Sequence, residues 1–205
     1  MTIRKGEEWG IQLVAPDGLV SLRDDKQLAQ MEQTAFGSLS GGDIHNALGA
    51  PVPVQPGAMC TQLEIDAMYV EIQTSATDEY SLFASSSVEV GQLRPSLFRK
   101  SQYACVTNGG LIQGRNLAPR AHPNDGVLDS VVFSKEMTFR ERLLAMRKAM
   151  TGTHVPHPLV HVSRAESFSF MRTSRHDLLF VDGEKMPLWQ SVRVTVQPDY
   201  WKIVV

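Results

Sequence analysis

Apolar and polar residues alternate in short runs along most of the chain, most clearly in SVRVTVQ at 191–197. Alternation with a period of two predicts a strand with one buried and one solvated face. The segments 63–72 and 79–90 show the same tendency and are rich in β-branched and aromatic residues. Similar runs between Gly, Asn, Asp and Pro turn signals are SQYACVT, VLDSVVF, PLVHVSR, ESFSFMR, DLLFVDG and WKIVV. The pattern predicts a mainly β protein, either a sandwich or a barrel.

Two segments have helical signals instead. In FGSLSGGDIHNALGAP, a Gly-rich turn precedes a short helix that should begin near Asp43 and end at Gly49 and Pro51. The run SKEMTFRERLLAMRKAMTG predicts a prominent amphipathic helix that ends at Gly152. Arg and Lys residues should cover one face of this helix, and the opposite, apolar face should contain Phe139, Leu143, Met146 and Met150.

The Pro-rich stretch at 49–59 predicts an extended connection between two parts of the chain. Residues 1–52 are too few and too Gly-rich for an independent domain, so we expect this segment to pack on the body. The body, residues 53–205, is the predicted β domain. We interpret 1–52 and 53–205 as the two units of the chain.

Composition narrows the functional classes. The chain has 205 residues, 42% of them hydrophobic, and a net charge of −2, so no basic field indicates nucleic acid binding. No apolar run is long enough to span a membrane, and the N-terminus has no signal-peptide pattern. Cys60 and Cys105 match no metal or redox spacing, so we expect reduced structural cysteines in a cytoplasmic protein.

The Asn124-Asp125-Gly126 tripeptide has two interpretations. It is typical of a tight turn, because Asn and Asp tolerate the left-handed conformation and Gly completes the reversal. A loop carboxylate beside free backbone carbonyls also suits a hard cation such as Mg²⁺. The sequence leaves both open.

Histidines, a Gly-rich turn and a turn glutamate are the other candidates for chemistry. His154, His157 and His161 have helical spacing, but the prolines between them exclude a helix, so convergence on a metal is not expected. The helix start at Asp43 is either an ordinary N-cap or an anion cradle. Glu184 follows an Asp-Gly turn, where most acidic residues are simply solvated.

Taken in order, VTNGG, LAPRAHPNDGVLDSVVF, the basic helix, TGTHVPHP and VDGE resemble the C-terminal half of the bacterial diacylglycerol and lipid kinases. These are relatives of sphingosine kinase and NAD kinase. The similarity is close over residues 108–205 and weaker at SLSGGDIHNALGAP, which is similar to the family's GTGNDFARTLGIP. The resemblance implies an α+β fold that is a two-sheet antiparallel β-sandwich, with one prominent helix and a short N-terminal helical segment.

The resemblance also implies roles for particular residues. Asp125 matches the family's Mg²⁺-binding aspartate, and His122 and Val127 match neighbours that offer backbone carbonyls to the same ion. Glu184 matches the glutamate that acts as general base on the lipid hydroxyl.

Ser40 and Asp43 align with the threonine and final aspartate of GTGND, near the nucleotide phosphates. Such chemistry needs a base at the attacking hydroxyl and Mg²⁺ to offset phosphate charge.

The chain also departs from the family pattern. These 205 residues contain no GGDGT, and Gly42 stands in place of the asparagine of GTGND. We therefore expect the chain to resemble the stand-alone C-terminal domains of some bacteria, in particular an actinobacterial group. The nucleotide-binding domain is expected to be absent, and ATP binding by these residues alone is not expected.

Several functions are consistent with this pattern. The first is a non-catalytic module that binds a lipid, a nucleotide-like ligand or a partner protein. The second is a subunit of a Mg²⁺-dependent diacylglycerol-type kinase, completed by a separate nucleotide-binding chain. A hydrolase that uses Glu184 with the His154 and His157 region, or a purely structural protein, is the remaining alternative. Edge strands of a sandwich could also pair two copies into a homodimer.

Overall fold

The structure is a computed structural model, and it describes residues 9–93, 101–174 and 176–205. The strands are Ile11–Val14 (β1), Val20–Leu22 (β2), Phe36–Leu39 (β3), Met59–Gln73 (β4), Glu79–Ala84 (β5), Ser87–Val90 (β6), Tyr103–Thr107 (β7), Leu111–Ile112 (β8), Arg115–Asn116 (β9), Leu128–Phe133 (β10), Val160–Ala165 (β11), Ser167–Met171 (β12), Leu179–Val181 (β13), Glu184–Lys185 (β14) and Ser191–Val204 (β15). The helices are Asp25–Ala29 (α1), Asp43–Ala47 (α2) and Phe139–Lys148 (α3), and α3 continues into a 3₁₀ turn at Ala149–Thr151.

Most strands belong to two sheets. The first has seven strands in the order β1-β4-β15-β3-β2, with β12 also paired to β15 and β5 to β4. The second has six strands in the order β11-β10-β7-β6-β13-β14. Among the described strands, every pair is antiparallel except β15 with β3 and β2 with β3. The predicted mainly β, sandwich-like fold is confirmed.

The main core lies between the two sheets. Val192, Val194 and Val196 of β15 are buried, whereas Arg193 between them is exposed. This is the alternation that the sequence predicts for a strand with one wet face. Side chains of the second sheet complete the same cluster with Val88, Val106, Leu128, Leu179 and Val181.

The described part of the N-terminal segment contributes β1, β2 and β3 to the first sheet. The sequence pattern did not predict these short strands or α1. Apolar residues of β2, β3 and α1 contribute to a second core around Trp201, which is fully buried. The Trp201 indole N–H donates to the Met31 carbonyl at 3.2 Å, which ties β15 to this segment. The division into 1–52 and 53–205 stays a prediction.

Two strand predictions need correction. The segment 79–90 is two strands in different sheets, because the chain crosses between the sheets at Ser85 and Ser86. In the sequence, Pro198 and Asp199 between SVRVTVQ and WKIVV predict a turn that separates two strands. This prediction is wrong, because both residues lie inside β15, where a register shift marks a β-bulge and Asp199 has a φ of 54°. A bulge favours the same types of residue as a turn, but the strand continues beyond it.

Helix α3 has the predicted position and end. Thr138 and Glu141 form a capping box, in which each side chain accepts the backbone N–H of the other. The 3₁₀ turn ends at Gly152, which adopts the left-handed conformation with a φ of 69°.

The predicted apolar face of α3 is wrong in part. Met146 is buried, but Leu143 is 36% exposed and Met150 is 59% exposed. The buried face is instead formed by Arg142, Ala145, Met146 and Ala149. Helix α3 is therefore rotated relative to the expected orientation, with a guanidinium on the inside.

Cys60 and Cys105 are both buried and form no disulfide. Within the part of the chain that the structure describes, no helix has the length and apolarity needed to cross a bilayer. A cytoplasmic location stays a prediction.

Candidate functional site

The Gly-rich turn between β3 and α2 is held by hydrogen bonds within the chain. The Ser40 hydroxyl donates to the Leu22 carbonyl at 3.0 Å. The Asp43 carboxylate accepts the backbone N–H groups of Gln113 and Gly114, at 2.6 and 2.9 Å. Both predicted phosphate-site residues therefore already have partners.

Asp25 supplies an anion to the start of α2. Its carboxylate accepts the backbone N–H groups of Asp43 at 2.6 Å and Ile44 at 3.0 Å. Gly42 fits here because it has a φ of 100° and because an added Cβ would lie 2.6 Å from an Asp25 carboxylate oxygen. Burial raises the pKa of Asp25 to about 7, although the two N–H donors lower it; the charges of Asp182 and Asp43 raise it further. The end of α2 that could hold an anion is thus filled by the chain's own carboxylate.

Asp182 stabilises the segment in which the chain crosses from the first sheet to the second, at Ser85 and Ser86. It occupies the Asp182-Gly183 turn that joins β13 to β14, and both residues have positive φ, at 45° and 76°. Its carboxylate accepts the backbone N–H groups of Ser85, Ser86 and Ser87 at 2.8 to 2.9 Å. Burial raises the pKa of Asp182, whereas the three N–H donors oppose this shift.

Glu184, the predicted base, lies directly after this turn. Its carboxylate forms an ion pair with Lys26, and both side chains are 53% exposed. The Ser85 hydroxyl donates to the Asp25 carbonyl at 2.9 Å, while its N–H binds Asp182. The α2 turn and the Asp-Gly-Glu turn are therefore linked through Asp25, Ser85 and Asp182. An exposed ion pair of this kind stabilises the fold by about 1 kcal/mol at most.

The Asn124-Asp125-Gly126 turn is organised by Asp66, a buried residue of β4 that the sequence analysis missed. The Asp66 carboxylate accepts the N–H of Gly126 at 2.8 Å, the N–H of Asp199 at 2.9 Å and the Asn124 amide at 3.2 Å. Burial raises the pKa of Asp66 to about 6 against the effect of these donors. The only sequence signal was an aspartate in an otherwise apolar stretch of a strand.

Asp125 itself is paired with Arg164 of β11 through an ion pair, and its other carboxylate oxygen accepts the Val127 N–H at 3.3 Å. His122 accepts the Asn124 N–H at 3.2 Å on Nδ1 and packs edge-on against Trp9 at 4.5 Å between ring centroids. Burial lowers the pKa of His122. Among the described residues, none of these contacts of Asp125 and His122 involves Asp43 or Glu184.

These residues fit Mg²⁺ poorly as they are arranged. Mg²⁺ needs a carboxylate that faces it and room for several waters. Arg164 places a positive charge on the Asp125 carboxylate, and the Asp66 oxygens are taken by N–H donors. Over 9–93, 101–174 and 176–205, no three His, Cys, Asp or Glu side chains form a group that could hold a metal. The metal role of Asp125, His122 and Val127 stays a prediction.

The three histidines of THVPHPLVH have separate surroundings. His154 is buried and stacks on Phe133 at 6.1 Å between ring centroids. His157 accepts the Leu159 N–H on Nδ1 at 3.1 Å, and His161 lies exposed on β11.

A cavity of about 910 Å³ is lined by residues of both sheets. It lies where β6 ends and β7 begins, opposite the edge strand β12 of the first sheet. Its described apolar lining includes Val90, Ala104, Phe170, Met171 and Leu178. Lys135 and His176 are among its polar lining residues. The volume and the mixed lining suit a small amphipathic molecule.

A seven-stranded sheet packed on a six-stranded sheet defines the chain as a two-sheet β-sandwich domain. A family model described as the YegS C-terminal NAD kinase beta sandwich-like domain matches residues 61–205. The chain belongs to this family.

Solved structures share the fold. A candidate diacylglycerol kinase from Bacillus anthracis strain Sterne aligns with a TM-score of 0.59 and 11% identity, over 91% of this chain and 77% of that chain. Yeast NADH kinase complexed with NADH aligns with a TM-score of 0.52 and 9% identity, over 91% and 60% of the two chains. At such identities the likeness establishes the fold alone. No curated protein sequence matches the chain.

Proposed function

We propose that the chain is a non-catalytic module that binds a lipid-like ligand in the cavity between its two sheets. The cavity is the observation that carries the proposal. Apolar side chains such as Phe170 and Met171 can contact an acyl chain, and Lys135 can bind a polar or acidic head group. A volume of about 910 Å³ is large enough for a small lipid.

The positions that resemble a kinase site support a non-catalytic role. Asp25 occupies the helix start at which a phosphate would need to bind, and Lys26 holds the carboxylate of Glu184. The Glu184 carboxylate is therefore engaged with a cation of the chain itself. Arg164 likewise holds Asp125.

A binding assay tests the proposal. It measures how well a soluble short-chain diacylglycerol displaces a fluorescent lipid probe from the chain. Ser169 lies exposed on the edge strand β12 and is one of the residues that line the cavity, so Ser169→Trp should obstruct part of the cavity and weaken binding about 10-fold. The control is Ser163→Trp, at an exposed position on β11, an edge strand of the second sheet. Equal binding by the two variants, or no saturable binding by the wild type, would refute the proposal.

The neighbouring positions of Asp43, Asp182 and Glu184 favour one alternative, a lipid-kinase subunit completed by a separate nucleotide-binding chain. The alternative requires phosphoryl transfer from ATP to diacylglycerol when such a chain is added, and loss of this transfer in Glu184→Gln. Transfer that survives Glu184→Gln would contradict the assigned base.

A further inference from the structure

We propose that the outward face of α3 docks on the surface of an anionic phospholipid bilayer. This interaction is separate from the cavity, which needs only a single lipid molecule. The outward face is defined by Arg140, Leu143, Leu144, Arg147, Lys148 and Met150.

The apolar part of this face is exposed although its residue types favour burial. Leu143 is 36%, Leu144 is 54% and Met150 is 59% exposed. All three lie within about two turns of each other, on the side opposite Ala145 and Ala149. Grouped exposed apolar side chains on one helix face are typical of a surface that contacts another phase or molecule.

The charges around these apolar residues select an anionic occupant. Arg140, Arg147 and Lys148 are exposed, and no ion pair between described residues involves them. The one acidic residue within the helix, Glu141, is engaged in the capping box. Basic residues beside exposed leucines are the combination that binds acidic lipid head groups while apolar side chains enter the acyl boundary.

The same charges disfavour a second copy of the chain on this face. A two-fold dimer would place the same surface on both sides, so the arginines of one copy would approach those of its partner. Like charges in such an interface are unfavourable unless acidic residues separate them. An anionic bilayer can bind both parts of this face, because its head groups attract the basic residues and its acyl boundary accepts the apolar side chains.

Arg142 fixes the orientation that exposes this face. Its guanidinium is buried and donates to the carbonyls of Ser101 at 2.5 Å and Gln92 at 2.6 Å, and it lies 5.9 Å from the centre of the Tyr103 ring. Ser101 and Gln92 also line the cavity. Helix α3 is thus anchored to the cavity wall, so docking would hold the cavity close to the membrane.

Co-sedimentation with vesicles tests the proposal. The full chain should bind vesicles that contain roughly 30% phosphatidylglycerol, and binding to phosphatidylcholine alone should be much weaker. Binding should fall steeply at about 0.5 M NaCl because salt screens the head-group contacts. The double variant Arg140→Gln/Arg147→Gln should bind about 30-fold more weakly, and Leu143→Ser/Leu144→Ser should lose most binding that resists salt.

The matched control changes Arg193 to Gln and Leu188 to Ser, an exposed basic and an exposed apolar residue elsewhere on the surface. Equal binding by this control and the α3 variants, or no vesicle binding by the wild type, would overturn the proposal. A change in oligomeric state in Leu143→Ser/Leu144→Ser without vesicles would overturn it in favour of self-association. Soluble diacylglycerol binding should persist in the α3 variants and be weakened only in Ser169→Trp, so failure of one proposal is distinguishable from failure of the other.

Discussion

Replacing Asp25 by asparagine removes the charge that fills the start of α2. Asparagine has nearly the same shape and keeps one oxygen for the Asp43 or Ile44 N–H, but it stays neutral at every pH. The wild-type carboxylate, by contrast, must ionise in a largely buried position. The variant therefore isolates the effect of ionisation on stability.

The expected effect follows from the raised pKa. The native chain holds the Asp25 proton up to a pKa of about 7, whereas the unfolded chain releases it near the ordinary value of 3.8. Because the native state binds more protons over this window, its stability decreases as pH rises through it. Between pH 5 and pH 8 the decrease attributable to Asp25 is about 2.5 kcal/mol, at 1.36 kcal/mol for each pKa unit.

Urea unfolding at several values of pH between 5 and 8 measures this contribution of Asp25 to the free energy of unfolding. Buried carboxyls that do not interact with Asp25, such as Asp66, titrate in wild type and variant alike. The difference between the two curves therefore reports Asp25 together with its coupling to Asp182 and Asp43. The curve for Asp25→Asn should be flatter than the wild-type curve by about 2.5 kcal/mol. The control is Asp17→Asn, at an exposed position. If Asp25→Asn keeps the wild-type pH dependence, the assignment of a buried, proton-binding Asp25 is wrong.

Three further predictions concern the turns and α3. Asp66→Ala leaves the backbone N–H groups of Gly126 and Asp199 without their acceptor, although the Asn124 amide still donates to Asp199, and should destabilise the fold by about 3 kcal/mol in urea unfolding, whereas Glu71→Ala, exposed on the same strand, should cost less than about 1 kcal/mol. Arg164→Met removes the cation from both Asp125 and the buried Asp129, so calorimetric titration should detect Mg²⁺ binding in the variant and weaker binding in the wild type; no binding in the variant would contradict the metal prediction. Thr138→Ala removes the capping box and should lower thermal stability by about 1 kcal/mol; no change would indicate that the helix start is held elsewhere.

The strands of the sandwich could be predicted because their signal is local. In β15 the alternation of Val192, Val194 and Val196 with polar residues reports one buried face directly. Sheet membership is not local. The segment 79–90 has strand residues throughout, and the crossover at Ser85 and Ser86 depends on Asp182, which lies almost a hundred residues later.

The orientation of α3 could not be predicted from periodicity. An apolar stripe through Leu143 and Met150 is a reasonable expectation, and arginine is rarely buried. Arg142 enters the core because two backbone carbonyls and the Tyr103 ring receive its guanidinium. Those partners come from a distant part of the chain, so no local pattern encodes the rotation.

The candidate site was predicted only in part. Motif similarity identified Asp43, Asp125 and Glu184, because it compares short runs of sequence. Their partners Asp25, Lys26 and Arg164 lie in segments that read as ordinary charged surface. Their importance arises only when the fold brings them to the motif residues.

The position of β15 in the first sheet has a consequence for how the chain folds during synthesis. This strand pairs with β4, β3 and β12, all of which precede it in the sequence. During translation those strands leave the ribosome before the strand that joins them, so β3 and β12 cannot reach their final partner until β15 has emerged.

The pairing between β15 and β4 covers both the sandwich core around Val194 and the second core around Trp201. One late strand thus completes two hydrophobic clusters at once. The nascent chain must keep the unpaired edges of β3, β4 and β12 from pairing with other chains until then. Conditions that slow emergence of β15 should therefore favour aggregation of the nascent chain over productive folding.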